Sequence, residues 1–258
     1  MEITTSVIRK IERPGRYFAP FIDTSDIKPD PAKPKVLILF PDLFEVAHSH
    51  TGIKILYSLF HRRGFTVDFG FSPSADFEKV LEKEKAVLSM MHNIDFRDFD
   101  LICVSFQYQL QYPAFIRILK LAGIPFTPGQ REKGRFPLII AGGPVMCNPE
   151  PVSEFIDAAF IGEFEPASGA VMDALGKNIK KSRRMEELSK IQGMYVPSLH
   201  GPELAEISSD GSVTGAKITR AVLDDLNSDQ DVTFDAPIFA MRTIHDRFTT
   251  EIMRGCTS

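Results

Sequence analysis

The 258-residue sequence predicts an α/β fold in which five parallel strands form a doubly wound sheet. Three observations lead to this prediction: short apolar runs recur along the chain, segments with apolar residues at helical spacing separate them, and glycine or proline follows several of these elements. Continuous rather than alternating apolarity is typical of strands covered on both faces. Five such strands suit the flavodoxin-like order 2-1-3-4-5, whose ligand crevice lies over the carboxyl ends of the strands.

The first strand is predicted at Lys35–Phe40, because this apolar run stops at Pro41. A helix over 51–63 follows, with Gly64 as its C-terminal stop. The other strands are predicted over 65–69, 101–106, 137–141 and 158–161, and the other helices over 75–91, 112–122 and 166–178.

The flanking segments have a different texture. Residues 1–34 end in a run of prolines that excludes a helix, so they are expected to form an extension before the main domain, which spans 35–192. Residues 193–223 contain short β-like pieces around Asp210-Gly211, a hairpin signal, and form a β-rich appendage. Residues 224–247 are polar and are expected to be a linker to the final segment, 248–258.

Composition narrows the function classes. The formal net charge is −4, and acidic and basic residues are mixed along the chain. This distribution of charge does not indicate a surface that binds nucleic acid. No apolar run approaches the roughly 18 residues that a membrane span needs, and the N-terminus lacks a secretory apolar region, so we expect a cytoplasmic protein without a membrane partner. Three cysteines are too few for a disulfide scaffold.

The strand ends carry the candidate site residues. Gly142 and Gly143 follow the fourth strand, and paired glycines let a backbone approach a ligand closely. Ser105 ends the third strand and can donate a hydrogen bond to a ligand. The alternative is structural: the glycines only make a tight turn, and Ser105 only caps a helix.

Several familiar sites are missing from the sequence. It has no phosphate-binding Gly-x-x-x-x-Gly-Lys-Ser/Thr loop and no Gly-x-Gly-x-x-Gly after the first strand. A phosphoacceptor domain needs an aspartate where Ser105 stands. His48 and His50 form a His-x-His pair, but no further residue obviously completes a metal site with them. Glu163 and Glu165 could serve acid–base roles, but glutamates are also favourable at the start of a helix.

A series of short motifs occurs in one order along nearly the whole chain. They are PGRY (14–17), PDLFEV (41–46), GIKILY (52–57), FD (99–100), SFQY (105–108), LAGIP (121–125), AGGP (141–144), NPEP (148–151), IGEFE (161–165) and EIMRGC (251–256). With these motifs the chain resembles the N-terminal region of a radical S-adenosylmethionine (SAM) family whose leading domain is cobalamin-binding-like and Rossmann-type.

The resemblance gives Cys256 a role. In that family the Arg-Gly-Cys begins a Cys-x-x-x-Cys-x-x-Cys motif, whose three thiolates hold a 4Fe–4S cluster and leave the fourth iron for SAM. Residues 248–258 would then be the truncated start of the radical SAM barrel, and the missing barrel would be the partner of this chain. Cys256 alone cannot hold the cluster, so the chain as given is expected to be inactive by itself.

The resemblance also suggests a cobalamin site at Gly52, Ser105, Gly142 and Gly143. Many cobalamin domains carry Asp-x-His-x-x-Gly, and with Gly52 as the glycine the histidine position holds Ser49. His48 and His50 are out of register. Either cobalamin binds without an axial ligand from the protein, or the fold persists with its site lost.

The resemblance leads to three hypotheses for the function of this chain. The first is the N-terminal region of a radical SAM enzyme, which positions substrate or cobalamin for a 4Fe–4S/SAM barrel. The second is a stand-alone cobalamin- or corrinoid-binding module without catalysis. The third is a truncated remnant that folds but binds nothing.

Overall fold

The computed structural model describes residues 9–18, 21–22, 30–84, 86–201, 206–207, 213–214, 218–226, 236–241 and 251–254. The described strands are β1 (Phe21–Ile22), β2 (Lys35–Phe40), β3 (Thr66–Phe71), β4 (Leu101–Ser105), β5 (Leu138–Gly142), β6 (Ala158–Phe160), β7 (Met194–Tyr195), β8 (Glu206–Ile207), β9 (Val213–Thr214) and β10 (Ile238–Phe239). The α-helices are α1 (Gly15–Phe18), α2 (Phe44–Ala47), α3 (Thr51–Arg62), α4 (Ala75–Glu84), α5 (Gln111–Ala122), α6 (Pro128–Arg131), α7 (Glu165–Gly176), α8 (Lys181–Leu188) and α9 (Pro197–His200). Short 3-10 helices span Phe96–Asp98, Pro144–Cys147 and Glu150–Phe155.

The central sheet has six strands in the order β3-β2-β4-β5-β6-β7. The first five are parallel, and among themselves they stand in the order 2-1-3-4-5. The α/β class and the mainly parallel sheet are therefore confirmed, but the prediction of five strands is one short. β7 pairs antiparallel with β6 through two residues only, and so brief a piece was assigned from sequence to the appendage.

Helices cover both faces of the sheet because the strands are apolar on both. In β2, Val36, Ile38 and Phe40 face a core that includes α3, α7 and α8, whereas Leu37 and Leu39 face a core that includes α4 and α5. All five of these side chains are fully buried. The continuous apolar run thus reports a strand with two covered faces.

The predicted helix over 75–91 is wrong in its second half, since α4 ends at Glu84. Asp68, a buried carboxylate in β3, accepts hydrogen bonds from Ser89 Oγ at 2.6 Å and from the Met91 and His92 N–H groups at 2.8 Å each. A buried carboxylate needs such hydrogen-bond donors. Because residues 89–92 provide them to Asp68, this stretch does not continue the helix.

The flanking segments contact the main domain. Phe21 of β1 pairs with Phe239 of β10, so a piece of the N-terminal extension joins a piece of the predicted linker. Phe239 is buried, although the stretch that contains it was predicted to be part of a linker. β8 and β9 pair antiparallel as the hairpin signal predicts, while its turn residues Asp210 and Gly211 lie outside the described residues.

A buried ion pair ties the loop after α5 to the sheet. The Arg131 side chain is 0% exposed, and its Nη2 lies 2.8 Å from Asp157 Oδ2. Arg131 Nη1 also donates to the carbonyls of Pro125 and Phe126. Asp157 accepts further from the Ile139 N–H and forms a second ion pair with a lysine of α8, Lys181, at 2.7 Å.

His48 lies in an aromatic cluster rather than at a ligand site. Its ring stacks on Phe44 with centroids 5.3 Å apart and meets the Phe239 ring edge to face at 4.7 Å. Burial, with a smaller contribution from the charge of Lys54, lowers the pKa of His48 to about 4.

This shift makes stability depend on pH. The unfolded chain protonates the imidazole near pH 6.5, but the folded chain does so only near pH 4. The contribution of His48 to the free energy of unfolding should therefore be complete above about pH 6.5 and should fall as the pH drops toward 4. Urea unfolding at several pH values should show a smaller decrease for His48→Phe, which keeps the aromatic packing but cannot titrate. An equal decrease in both proteins would contradict this assignment.

Candidate functional site

A cavity of about 590 Å³ opens over the carboxyl ends of β4, β5 and β6. This is the edge at which parallel α/β sheets usually bind ligands, and the volume is in the range of small-molecule sites. Its apolar walls come from Ile55, Leu56, Val104, Ile140, Ala141, Phe160, Ile161 and Phe164. Its polar lining includes Ser105, Gln107, Cys147, Glu163, Glu165, Arg220, Glu251 and Arg254.

The four predicted ligand-contact residues all line this one cavity. Gly52 comes from α3, Ser105 from the end of β4, and Gly142 and Gly143 from the end of β5. The carboxyl-edge argument thus brings together residues that are far apart in the sequence. The fifth predicted residue, Cys256, lies outside the described residues.

The structure requires glycine at position 143 but not at the neighbouring position 142. A Cβ on Gly143 would lie 2.1 Å from the carbonyl oxygen of Phe106, and its φ of +104° also disfavours other residues. The structural alternative therefore applies to Gly143, whose lack of a side chain is required by the fold. A Cβ on Gly142 would meet nothing within 4 Å, so its backbone leaves room beside the cavity.

Gly52 resembles Gly142 in this respect. It lies in the first turn of α3, and a Cβ there would also meet nothing within 4 Å. Glycine weakens a helix interior by about 1 kcal/mol relative to alanine, and no close contact among the described residues explains its presence. Among the glycines that line the cavity, Gly52 and Gly142 are the two at which an added Cβ would meet no atom within 4 Å.

Ser105 does not cap the next helix. The N-cap position of α5 is Leu110, and no side-chain hydrogen bond caps that helix. Ser105 Oγ instead accepts from Gln107 Nε2 at 3.0 Å, while the Gln107 N–H donates to Gln111 Oε1 at 2.7 Å. Held by Gln107, the hydroxyl keeps its own hydrogen available for a group in the cavity.

A tyrosine and an aspartate join neighbouring strand ends beside this network. The Tyr108 hydroxyl donates to Asp42, which follows β2. This hydrogen bond, together with burial, raises the pKa of Tyr108 to about 12. The contact fixes the loop after β4 to the loop after β2, at the point where the strand order reverses.

Charged side chains from two distant parts of the chain meet at the cavity. Arg254 Nη2 lies 2.6 Å from Glu165 Oε1 and 2.7 Å from Glu251 Oε2. Hydrogen bonding to Glu251 and then to Glu165 raises the pKa of Arg254. Sequence reasoning missed this cluster, because nothing local in either segment signals a partner so far along the chain.

Two cysteines line the cavity with different reactivity. Cys103 lies in β4, and burial raises the pKa of its thiol to about 12. Cys147 ends the 3-10 helix after β5, and its side chain is exposed. Thiolate formation controls cysteine reactivity, so Cys147 is the more reactive of the pair.

Histidines do not line the cavity in the described part of the chain. His48 packs in its aromatic cluster, and the His50 ring lies 4.9 Å from the Phe40 ring. Among the described residues, no three His, Cys, Asp or Glu side chains are grouped to bind a metal ion. Among the described residues, no imidazole therefore lines the cavity.

Comparison with protein families supplies the identity. The family described as radical SAM proteins, N-terminal, matches residues 52–197, which is more than half of the chain. The chain belongs to this family. The matched region runs from Gly52 past β7 and includes Ser105 and Gly142. No curated protein and no solved structure matches the chain.

Membership in the radical SAM N-terminal family has one direct consequence for cofactors. It implies a 4Fe–4S cluster and SAM in the full-length proteins of the family. The thiols of Cys103 and Cys147 do not form a three-ligand group, so the described residues do not provide that cluster site. None of the described helices has the length and apolar character that a membrane-spanning helix requires.

Proposed function

We propose that this chain is the ligand-binding N-terminal region of a radical SAM enzyme. Its cavity holds substrate or cobalamin next to the barrel that carries the cluster and SAM. One observation carries the proposal: the cavity formed at the strand ends is also lined by Glu251 and Arg254, and Arg254 precedes Cys256 by only two residues in the sequence. The ligand site and the start of the cluster motif are thus adjacent along one short stretch of chain.

The lining residues define what the cavity does. Ile55, Leu56, Phe160 and Phe164 offer apolar surface that excludes water and contacts a flat or apolar group. Ser105 provides a hydroxyl donor at one side. The chain therefore binds, orients and shields, and the cofactors of the full-length enzyme supply the radical chemistry.

Cobalamin bound at this cavity would be held through its nucleotide tail. The space beside Gly142 and the hydroxyl of Ser105 suit insertion of the nucleotide tail, and no histidine of the described residues is placed to ligate the cobalt. Bound cobalamin would supply methyl transfer or electron transfer. The role of this chain would be to hold the tail without providing an imidazole ligand.

A stand-alone cobalamin- or corrinoid-binding module is the second candidate. It would use the same cavity at the strand ends, without a catalytic barrel. The coding sequence beyond Ser258 separates the two: a continuing Cys-x-x-x-Cys-x-x-Cys motif supports the enzyme, and its absence supports the module.

Binding of hydroxocobalamin, measured by equilibrium dialysis, tests the cavity. Gly142→Leu should abolish binding, because its side chain enters the space that the ligand needs. Ser105→Ala should weaken binding by about 0.5–1.5 kcal/mol, the value of one hydrogen bond. Gly129→Leu is the matched control, since Gly129 also has open space around it but does not line the cavity.

The binding results distinguish the proposed site from its alternatives. Binding lost in Gly142→Leu and kept in Gly129→Leu supports the proposed site. Equal binding by both variants would place cobalamin elsewhere, and no binding by the wild type would favour the remnant that folds but binds nothing.

A further inference from the structure

The carboxylate of Glu165 is enclosed and has one cationic partner in the described part of the chain. Its side chain is only 8% exposed in the first turn of α7, and Arg254 Nη2 lies 2.6 Å away. A buried carboxylate left without a cation is costly, so this ion pair constrains both residues strongly. Arg254 comes from a segment that is far from α7 in sequence.

Arg254 is held in turn by its own segment. Its Nε and Nη2 donate to the two carboxylate oxygens of Glu251, at 2.8 and 2.7 Å. This bidentate geometry fixes the plane of the guanidinium and directs it at Glu165. Residues 251–254, which we call the wall segment, are therefore stiffened internally and anchored at one point.

The wall segment presents two different sides. Glu251 and Arg254 line the cavity, whereas Ile252 and Met253 are 88% and 59% exposed. The charged pair thus faces the ligand space and Glu165, and the apolar pair faces away from it. The segment forms one side of the cavity because the Arg254–Glu165 pair holds it there.

We infer that Arg254 is a positioning residue, which fixes the chain leading to Cys256 as a wall of the cavity through its ion pair with Glu165. The inference rests on the proposed function in that the cavity is the ligand site and Cys256 is a cluster ligand. Because Arg254 lies two residues before Cys256, one ion pair sets the relation between the ligand and the cluster motif. Loss of the pair would loosen the cavity wall and the cluster segment together.

Trypsin cleavage after Arg254 measures this anchor in the full 258-residue chain. Cleavage requires the side chain to leave Glu165, so its initial rate follows the population of the open segment. Glu165→Gln should speed the loss of residues 255–258, followed by intact mass, about tenfold. Asp173→Asn should not, although it breaks another ion pair of α7, the one with Arg63.

Salt and a conservative variant test whether the anchor is an enclosed ion pair. Salt screens enclosed pairs much less than exposed ones, so high ionic strength should speed cleavage of the wild type far less than Glu165→Gln does. Arg254→Lys, which trypsin also cleaves and which keeps the charge, should stay within about threefold of the wild type.

A second readout separates this inference from the proposed function. If the wall segment is positioned by Glu165, Glu165→Gln should also weaken hydroxocobalamin binding, whereas Asp173→Asn should not. If Glu165→Gln speeds cleavage but the wild type binds no cobalamin, the positioning role of Arg254 stands and the proposed ligand site is wrong. Equal cleavage rates in the wild type and Glu165→Gln would overturn the positioning role of Arg254 even if cobalamin binds.

Discussion

Gly143→Ala is expected to lower the free energy of unfolding by about 2–4 kcal/mol, and Gly142→Ala to change it by less than about 0.5 kcal/mol. The new Cβ of Gly143→Ala would lie 2.1 Å from the Phe106 carbonyl oxygen, so the backbone of one strand end must move. The φ of +104° adds conformational strain that alanine tolerates poorly. Gly142 has neither constraint.

Urea unfolding of the two variants measures this difference directly. The two positions are adjacent in sequence and both line the cavity, so Gly142→Ala is a close control for composition and location. Equal stability of the two variants would show that the close approach of Gly143 to Phe106 is not needed by the fold.

Asp157→Ala is expected to cost about 3–5 kcal/mol, because it leaves the buried guanidinium of Arg131 without its carboxylate. The Arg131 side chain is 0% exposed, so water cannot replace the lost partner without local unfolding. The Ile139 N–H loses its acceptor as well. Lys181 is less affected, since its side chain is 24% exposed.

The double variant Arg131→Met/Asp157→Leu separates the penalty of an unpaired charge from the value of the pair. Replacing both charges with apolar groups should recover most of the stability that Asp157→Ala loses, as measured by urea unfolding. If the double variant is as unstable as the single one, the network contributes through its hydrogen bonds to the loop after α5 and not through charge pairing.

The sheet could be predicted from sequence because burial on both faces leaves a strong local signal. Runs such as Lys35–Phe40 are apolar at consecutive positions, and glycines or prolines mark several of their limits. The strand order follows from the connection rules of parallel sheets. β7 was placed in the β-rich appendage rather than in the sheet, because two residues carry no periodic pattern. α4 was predicted too long because its true end depends on Asp68, a residue of another strand.

The cavity could be predicted in part for the same reason. Parallel strands bring their carboxyl ends to one edge, and this places Ser105 beside Gly142 without knowledge of any contact. The Arg254–Glu165 pair could not be predicted, since it joins segments that are distant in sequence and carry no local pattern. The pairing of Phe239 with Phe21 likewise joins two distant segments. The distinction between Gly142 and Gly143 likewise needed the position of the Phe106 carbonyl.

In this radical SAM N-terminal region, different parts of the structure have different roles. The sheet and the Arg131–Asp157 pair provide a rigid base, and the strand ends provide a cavity with an apolar interior. The wall segment connects that cavity to the part of the chain that leads to Cys256.

Alkylation of Cys147 in the presence and absence of cyanocobalamin tests the ligand site most directly. Cys147 is exposed and lines the cavity, whereas burial raises the pKa of Cys103 to about 12, so the two thiols differ in reactivity and mass spectrometry resolves them. We expect saturating cyanocobalamin to slow alkylation of Cys147 at least about tenfold in the wild type and in Gly129→Leu, and to have no effect in Gly142→Leu. The same alkylation rate for wild-type Cys147 with and without cyanocobalamin would contradict the assignment of this cavity as the ligand site.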